Sequence, residues 1–279
     1  MSDNRNYSVI TNFGCHWQCP YCIVRNTGIQ IAETRMGATY DTVMDLADSG
    51  KMKFLSFSGG GDPLWGLDIR RAYWYASITR SLYEYDIETE MHTSMPSMVK
   101  RMYNLAPAVE FSRIVYHLRN VNMIRNLDSI DGEMIRVVFV VTPDFTKDKI
   151  DAIVKAVKDN PSVDELSFRQ MVKPDYSIDH TCEDYLREGH KKEWWYITQG
   201  DYNHYIVNDR ISDKYEDFKE QPMTDLDKRI SEYAKWIESR YDDSHELRGK
   251  GKNGYIDGKA DAYESSLREF KCIFNVKEE

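Results

Sequence analysis

Through roughly the first 170 residues, short runs rich in β-branched and aromatic residues alternate with longer segments whose apolar positions recur every three or four residues. Strands are predicted at Tyr7 to Asn12, Met52 to Ser58, Ile87 to His92, Phe111 to His117, Met134 to Val141 and Val163 to Arg169. Helices fall between them. Thr39 is placed to cap one that carries Val43, Met44 and Ala47 inward and stops at Gly50. Asp68 to Tyr83 repeats Ile69, Ala72, Tyr73, Ala76, Thr79 and Leu82 at helical spacing. Thr146 caps another, with Ile150, Ile153, Val154 and Val157 on one face. Strands separated by single helices imply parallel pairing through crossovers. About six such units fall short of the eight of a closed barrel. The expected fold is therefore α/β, a partial (β/α)6 barrel, over residues 1–174.

After Pro174 the pattern changes, and residues 175–279 read as an α+β extension that shapes a substrate pocket. Trp194 to Ile211 alternates around two turn signals, Gln199-Gly200-Asp201 and Asn208-Asp209, which predicts a β meander. A helix follows from Thr224, with Leu226, Ile230, Tyr233, Ala234, Ile237 and Tyr241 on one face, then a Gly- and Lys-rich loop over 246–260. Trp194, Trp195, Tyr196, Tyr202 and Tyr205 stand near Lys191, Lys192 and His204. That mixture fits a small apolar core, or a surface that stacks a base or sugar.

A hydrophobic share of 41% with 13% aromatics favours a packed globular chain over disorder. The longest apolar runs, such as Val137 to Val141, fall far short of the roughly 20 residues a membrane helix needs. The opening Met1-Ser2-Asp3-Asn4-Arg5-Asn6 is polar and carries no export pattern, so a cytoplasmic location and no membrane partner are expected. The net charge of −9 argues against a chain built mainly to wrap nucleic acid, leaving only a modest basic loop at Arg248, Lys250, Lys252 and Lys259.

Five cysteines are present, and Cys15, Cys19 and Cys22 form a C-x3-C-x2-C pattern directly after the first strand. Such crowding reads as metal binding before disulfides. Three thiolates suit a [4Fe–4S] cluster held at three irons, with the fourth left for an outside ligand. Zinc competes, but a structural zinc site normally takes four protein ligands, and His16 is too near Cys15 to complete a tetrahedron. A second signal is Ser58-Gly59-Gly60-Gly61-Asp62-Pro63, at the end of the second strand and about 37 residues after the cysteines. Glycine admits close approach of the backbone to a ligand, and a carboxylate accepts from an ammonium; the plainer alternative is a tight strand-to-helix turn.

Taken together, these two motifs and the order of strands over residues 7–172 resemble the radical S-adenosylmethionine superfamily. Its signature is C-x3-C-x-aromatic-C, and Tyr21 stands at the aromatic position, whose backbone lies against the adenine in that family. The family's Gly-Gly-Glu-Pro turn aligns with Gly60, Gly61, Asp62 and Pro63, with Asp62 one methylene shorter than the usual Glu. The resemblance implies a cluster on Cys15, Cys19 and Cys22 that binds S-adenosylmethionine through its amino and carboxylate groups. One electron then breaks the sulfonium to methionine and a 5′-deoxyadenosyl radical, which takes hydrogen from a substrate C–H bond. An electron donor such as flavodoxin or ferredoxin is implied as a partner.

Catalytic groups of β/α barrels gather at the carboxyl ends of the strands. There, Arg119 and Arg169 are candidates to pair the cofactor carboxylate, and Thr93, Ser94 and Thr142 to reach ribose hydroxyls. Each is equally at home as a helix cap or surface polar group. His117 is a further strand-end candidate, with a half-buried structural role as the alternative. Cys182 and Cys272 are isolated and read as free thiols. A small-molecule or nucleotide substrate suits the acidic chain; the alternatives are hypermodification of a base within nucleic acid, a glycyl residue of a protein, or a metal-holding scaffold without catalysis.

Overall fold

The computed structural model of this chain describes residues 6–17, 19–130, 132–198 and 204–218. The helix expected from Thr224, the loop over 246–260 and Cys272 lie outside them. Nine strands form one sheet: β1 (Asn6–Ile10), β2 (Phe54–Ser58), β3 (Glu88–Thr93), β4 (Arg113–His117), β5 (Met134–Val141), β6 (Glu165–Gln170), β7 (Trp195–Ile197), β8 (His204–Val207) and β9 (Arg210–Ser212). Their spatial order is β7-β6-β5-β4-β3-β2-β1-β8-β9. Every pair is parallel except the β8–β9 hairpin. From β1 to β7 each connection steps one strand in the same direction, which is how a barrel winds and not how a doubly wound sheet does. Among the described residues the sheet stays open, with β7 and β9 as its edges. This is the α/β, partial-barrel architecture that the periodicity predicts.

Helices α1 (Ile23–Thr27), α2 (Met36–Asp48), α3 (Ile69–Tyr83), α4 (Pro96–Leu105), α5 (Lys147–Lys158) and α6 (Glu183–Gly189) fill the crossovers. The cap expected at Thr146 is present, its side chain accepting from the Lys149 N–H, and Asp68 caps α3 in the same way by accepting from the Arg71 N–H. Thr39 does not cap α2. The helix starts earlier, at Met36, because Asn208, from the β8–β9 turn, accepts from the Arg35 N–H at 2.7 Å. A distant residue thus supplies what no local side chain offers. The β4–β5 crossover is also not an α-helix but a 3-10 segment, Val121–Asn126.

The predicted meander is corrected in the same way. Its second turn, at Asn208-Asp209, forms an antiparallel hairpin, and the first, Gln199-Gly200-Asp201, lies outside the described residues. β7 instead extends the β6 edge and β8 joins β1, at opposite ends of the strand order. Residues 195–197 and 204–212 therefore belong to the main sheet.

One side chain in two points to the helices and one into the bowl of the sheet. Leu55, Phe57, Met91, Ile114, Tyr116, Val137, Phe139, Leu166 and Phe168 form the buried layer under the helices. Trp194 joins it, edge-on to Phe168 at 5.6 Å, and Tyr196 is buried there too, so these two aromatics serve the core. The opposite face of β1 to β6 carries polar residues: Ser8, Ser56, Glu90, His92, Arg113, His117, Arg136 and Arg169 line a cavity of about 1500 Å³. Polar side chains hidden inside the bowl demand partners: Ser8 and Ser56 bond each other at 2.6 Å, and Glu90 is held between His92 and Arg113.

Candidate active site

At the carboxyl end of β1 the chain enters the cysteine loop, and at the end of β2 the glycine turn. Main-chain hydrogen bonds stitch the two together. Thr11 N donates to Ser58 O at 3.0 Å, Gly61 N to Thr11 O at 2.9 Å and Asp62 N to Gly14 O at 2.9 Å. The contact is close enough that a Cβ on Gly60 would stand 2.3 Å from Thr11 O, and one on Gly61 2.2 Å from Gly14 O. Gly60 also has φ +55, where a side chain is strained. Glycine at these positions is thus required by the packing of one loop on the other. Cys15, Cys19, Cys22, Tyr21 and Gly59 to Asp62 all line the same cavity.

Within the cysteine loop, Cys22 N donates to Cys19 O at 3.1 Å, and Trp17 N to Cys15 Sγ at 3.4 Å. Burial pushes the Cys15 thiol up, opposed by that Trp17 N–H, and neighbouring Asp62, Cys19 and Cys22 push it further. Arg119 stacks its guanidinium 3.9 Å from the Trp17 ring and donates to Cys19 Sγ at 3.3 Å. Tyr21 is half-buried against Cys19, and burial raises its phenol. No three of the described His, Cys, Asp and Glu residues converge on a point that one metal ion would occupy. A cubane presents its irons at separate corners, so thiolates that grip it need not meet at a point. Three soft sulfur donors in one loop with a cation against one of them fit an iron–sulfur cluster by donor chemistry.

Asp62 is engaged by the protein's own donors. Buried to 5% exposure, it accepts from Leu64 N (3.0 Å) and Thr93 Oγ1 (2.7 Å) on Oδ1, and from Ser94 N (2.8 Å) and Ser94 Oγ (2.6 Å) on Oδ2. Four donors fill the acceptor capacity of a carboxyl group. The side chain ties the end of β3 to the glycine turn, and the Thr93 and Ser94 hydroxyls donate to it. Thr142 bonds Asp144 in the turn before α5 and does not line the cavity. Arg169 does line it, close enough to the rings of His92 and His117 to disfavour their protonation.

Solved proteins overlay on this chain in part. SuiB from Streptococcus suis matches at 14% identity and TM-score 0.49, over 70% of this chain and 49% of its own; it has also been solved with S-adenosylmethionine bound. The radical S-adenosylmethionine methyltransferase TsrM from Kitasatospora setae, solved with cobalamin and a [4Fe–4S] cluster, matches at 13% identity and TM-score 0.41 over 59% of this chain and 36% of its own. N-acetylneuraminate lyase from Mycoplasma synoviae matches at 8% identity and TM-score 0.42, over 71% and 63%. The chain thus spans about half the length of SuiB. No family model and no curated protein matches it. Overlays this loose carry no functional argument.

Beyond the motifs lies a charged network that the sequence reading missed, apart from His117 and Arg169. Arg113 Nη1 donates to Glu90 Oε2 at 2.8 Å and its Nε lies 3.1 Å from Glu165 Oε2. Arg136 Nε donates to the same Glu165 oxygen at 2.7 Å. Glu90 Oε1 meets His92 Nε2 at 3.2 Å, and His92 Nδ1 meets His117 Nε2 at 2.9 Å. The signal for it was the alternation Glu88, Glu90, His92 along β3 and Arg113, Val115, His117 along β4, which reads equally well as a solvent face.

Proposed function

We propose that this chain is a radical S-adenosylmethionine enzyme acting on a small-molecule or nucleotide-type substrate held in the bowl of the sheet. The observation that carries the proposal is the stitching of the cysteine loop to the glycine turn, which sets three thiols and an exposed backbone turn around one polar chamber. Cys15, Cys19 and Cys22 would hold the [4Fe–4S] cluster, and the backbone of Gly59 to Gly61 and Tyr21 would face S-adenosylmethionine. When bound, the two together supply an electron and a 5′-deoxyadenosyl radical.

The chain's own contribution is binding, orientation and shelter. Arg119 places positive charge and an N–H against Cys19, which favours the more negative, reduced state of a thiolate-bound centre. Asp62 fixes the end of β3 against the glycine turn, so both sides of the chamber mouth move as one piece. The amino group that the family's longer Glu would meet must find another acceptor here. A flavodoxin- or ferredoxin-type donor is the partner such chemistry requires. The alternative of a metal-holding scaffold leaves the charged chamber without a task.

Anaerobic reconstitution with iron and sulfide tests the assignment of ligands. The expected result is about four iron and four sulfide per chain, lost when Cys15, Cys19 or Cys22 is replaced by Ala. Stable uptake of zinc alone, unaffected by those replacements, would sink it.

A further inference from the structure

The charged groups in the chamber define a second chemistry beside the cysteine loop. Glu90 sits on β3 with Arg113 from β4 on one oxygen and His92 on the other. Burial alone would push its carboxyl up, but hydrogen bonds from His92 and Arg113 outweigh it and bring the group down to about 2. Glu90 is therefore an acceptor only, and His92 Nε2 must carry the proton between them. Burial lowers both imidazoles from their ordinary value, and each is neutral near pH 7. A neutral His92 protonated at Nε2 has a bare Nδ1, so His117 Nε2, 2.9 Å away, must donate to it. Neutral His117 then keeps a bare Nδ1. That atom has no hydrogen-bond partner among the described residues, and the ring lines the chamber.

We propose that Glu90, His92 and His117 form a proton relay whose working end is Nδ1 of His117, and that the chamber takes a polar substrate presenting a hydroxyl or ammonium proton to it. The step balances without a further reagent. The substrate O–H or N–H bond breaks with its electron pair staying on the heteroatom, and Nδ1 of His117 gains the proton. The Nε2 proton of His117 crosses to Nδ1 of His92, and the positive charge rests on His92 beside Glu90. His117 is the catalytic residue of this step; Glu90 and His92 are positioning residues. The surrounding charges fit. Arg113 and Arg136 balance Glu90 and Glu165, and Arg169 from β6 opposes a charge on either ring, but only His92 is hydrogen-bonded to the Glu90 carboxylate that offsets it. β1 and β2 face the chamber with Ser8, Ser56 and Ser58, none of which titrates.

The relay deepens the substrate side of the proposed function, but its test needs neither cluster nor cofactor, so it fails or stands apart from the reconstitution result. Full-length protein carrying 15N-histidine, observed by long-range 1H–15N correlation between pH 5 and 8, reports each ring's tautomer. Both rings are expected as the Nε2–H form at pH 7, with a bare Nδ1 on His117 and proton uptake below the ordinary histidine range. Glu90→Gln keeps an acceptor for His92 but removes the charge, and should lower the proton affinity of the pair at least about tenfold. An Nδ1–H tautomer of His117, or an unchanged midpoint in Glu90→Gln, overturns the relay. Should that variant fail to fold, the wild-type tautomer decides alone.

Discussion

Asp62 accepts four hydrogen bonds inside the protein, three of them from Thr93 and Ser94. Replacing it with Ala strands buried hydroxyl and amide donors, so Asp62→Ala should cost about 3 kcal/mol or more in chemical denaturation of the cofactor-free protein. A side chain whose task was only to meet a cofactor would leave that stability unchanged. Arg119 is exposed and holds little of the fold together, yet it touches Cys19 Sγ. Arg119→Gln removes positive charge beside the thiolates, which disfavours the added electron. Redox titration of the reconstituted protein should then show a more negative midpoint potential, whereas an unchanged potential would remove Arg119 from the cluster's surroundings.

The glycine turn and the cysteine loop form one unit because their backbones touch. Gly61→Ala would drive a Cβ to 2.2 Å from Gly14 O, a clash with main chain and not with a flexible side chain. It should destabilise by about 3 kcal/mol and loosen the cysteine loop, measured by thermal unfolding and by loss of iron retention. Gly28, at φ +68 with nothing within 4 Å, offers a control: Gly28→Ala should cost only about 1 kcal/mol of backbone strain. The strands and most crossovers were legible because Ile, Val and Phe repeat along them with clear periods. What stayed hidden was tertiary. Asn208 capping α2 from 173 positions away, and β7 and β8 parting to different strands of the sheet, leave no local signature. The Cys and Gly motifs were visible as patterns, but the reason for glycine at position 61, a carbonyl pressed against it, was not. Nor could Asp62 be seen to bond Thr93 and Ser94 before the ends of β2 and β3 were placed side by side.

Across the whole molecule, the polar bowl couples stability to pH. His92 and His117 are depressed by burial, so below about pH 6.5 the unfolded chain takes up protons that the folded chain refuses, and stability falls. Glu90, held near 2, adds stability that is full above its unfolded value of about 4.5 and is lost as pH falls from there toward 2. Both effects run the same way: the melting temperature should drop from pH 7 to 5 and again below about 4.5. In His117→Gln the first drop should be shallower, and a profile identical to wild type would contradict the buried, neutral ring. The same bowl is where the central claim is decided. The reconstituted, dithionite-reduced protein, mixed anaerobically with S-adenosylmethionine, is analysed by chromatography for 5′-deoxyadenosine. The account predicts that the nucleoside forms with the wild-type chain and vanishes with Cys19→Ala; a fully loaded cluster that releases none, or equal release by the variant, would contradict it.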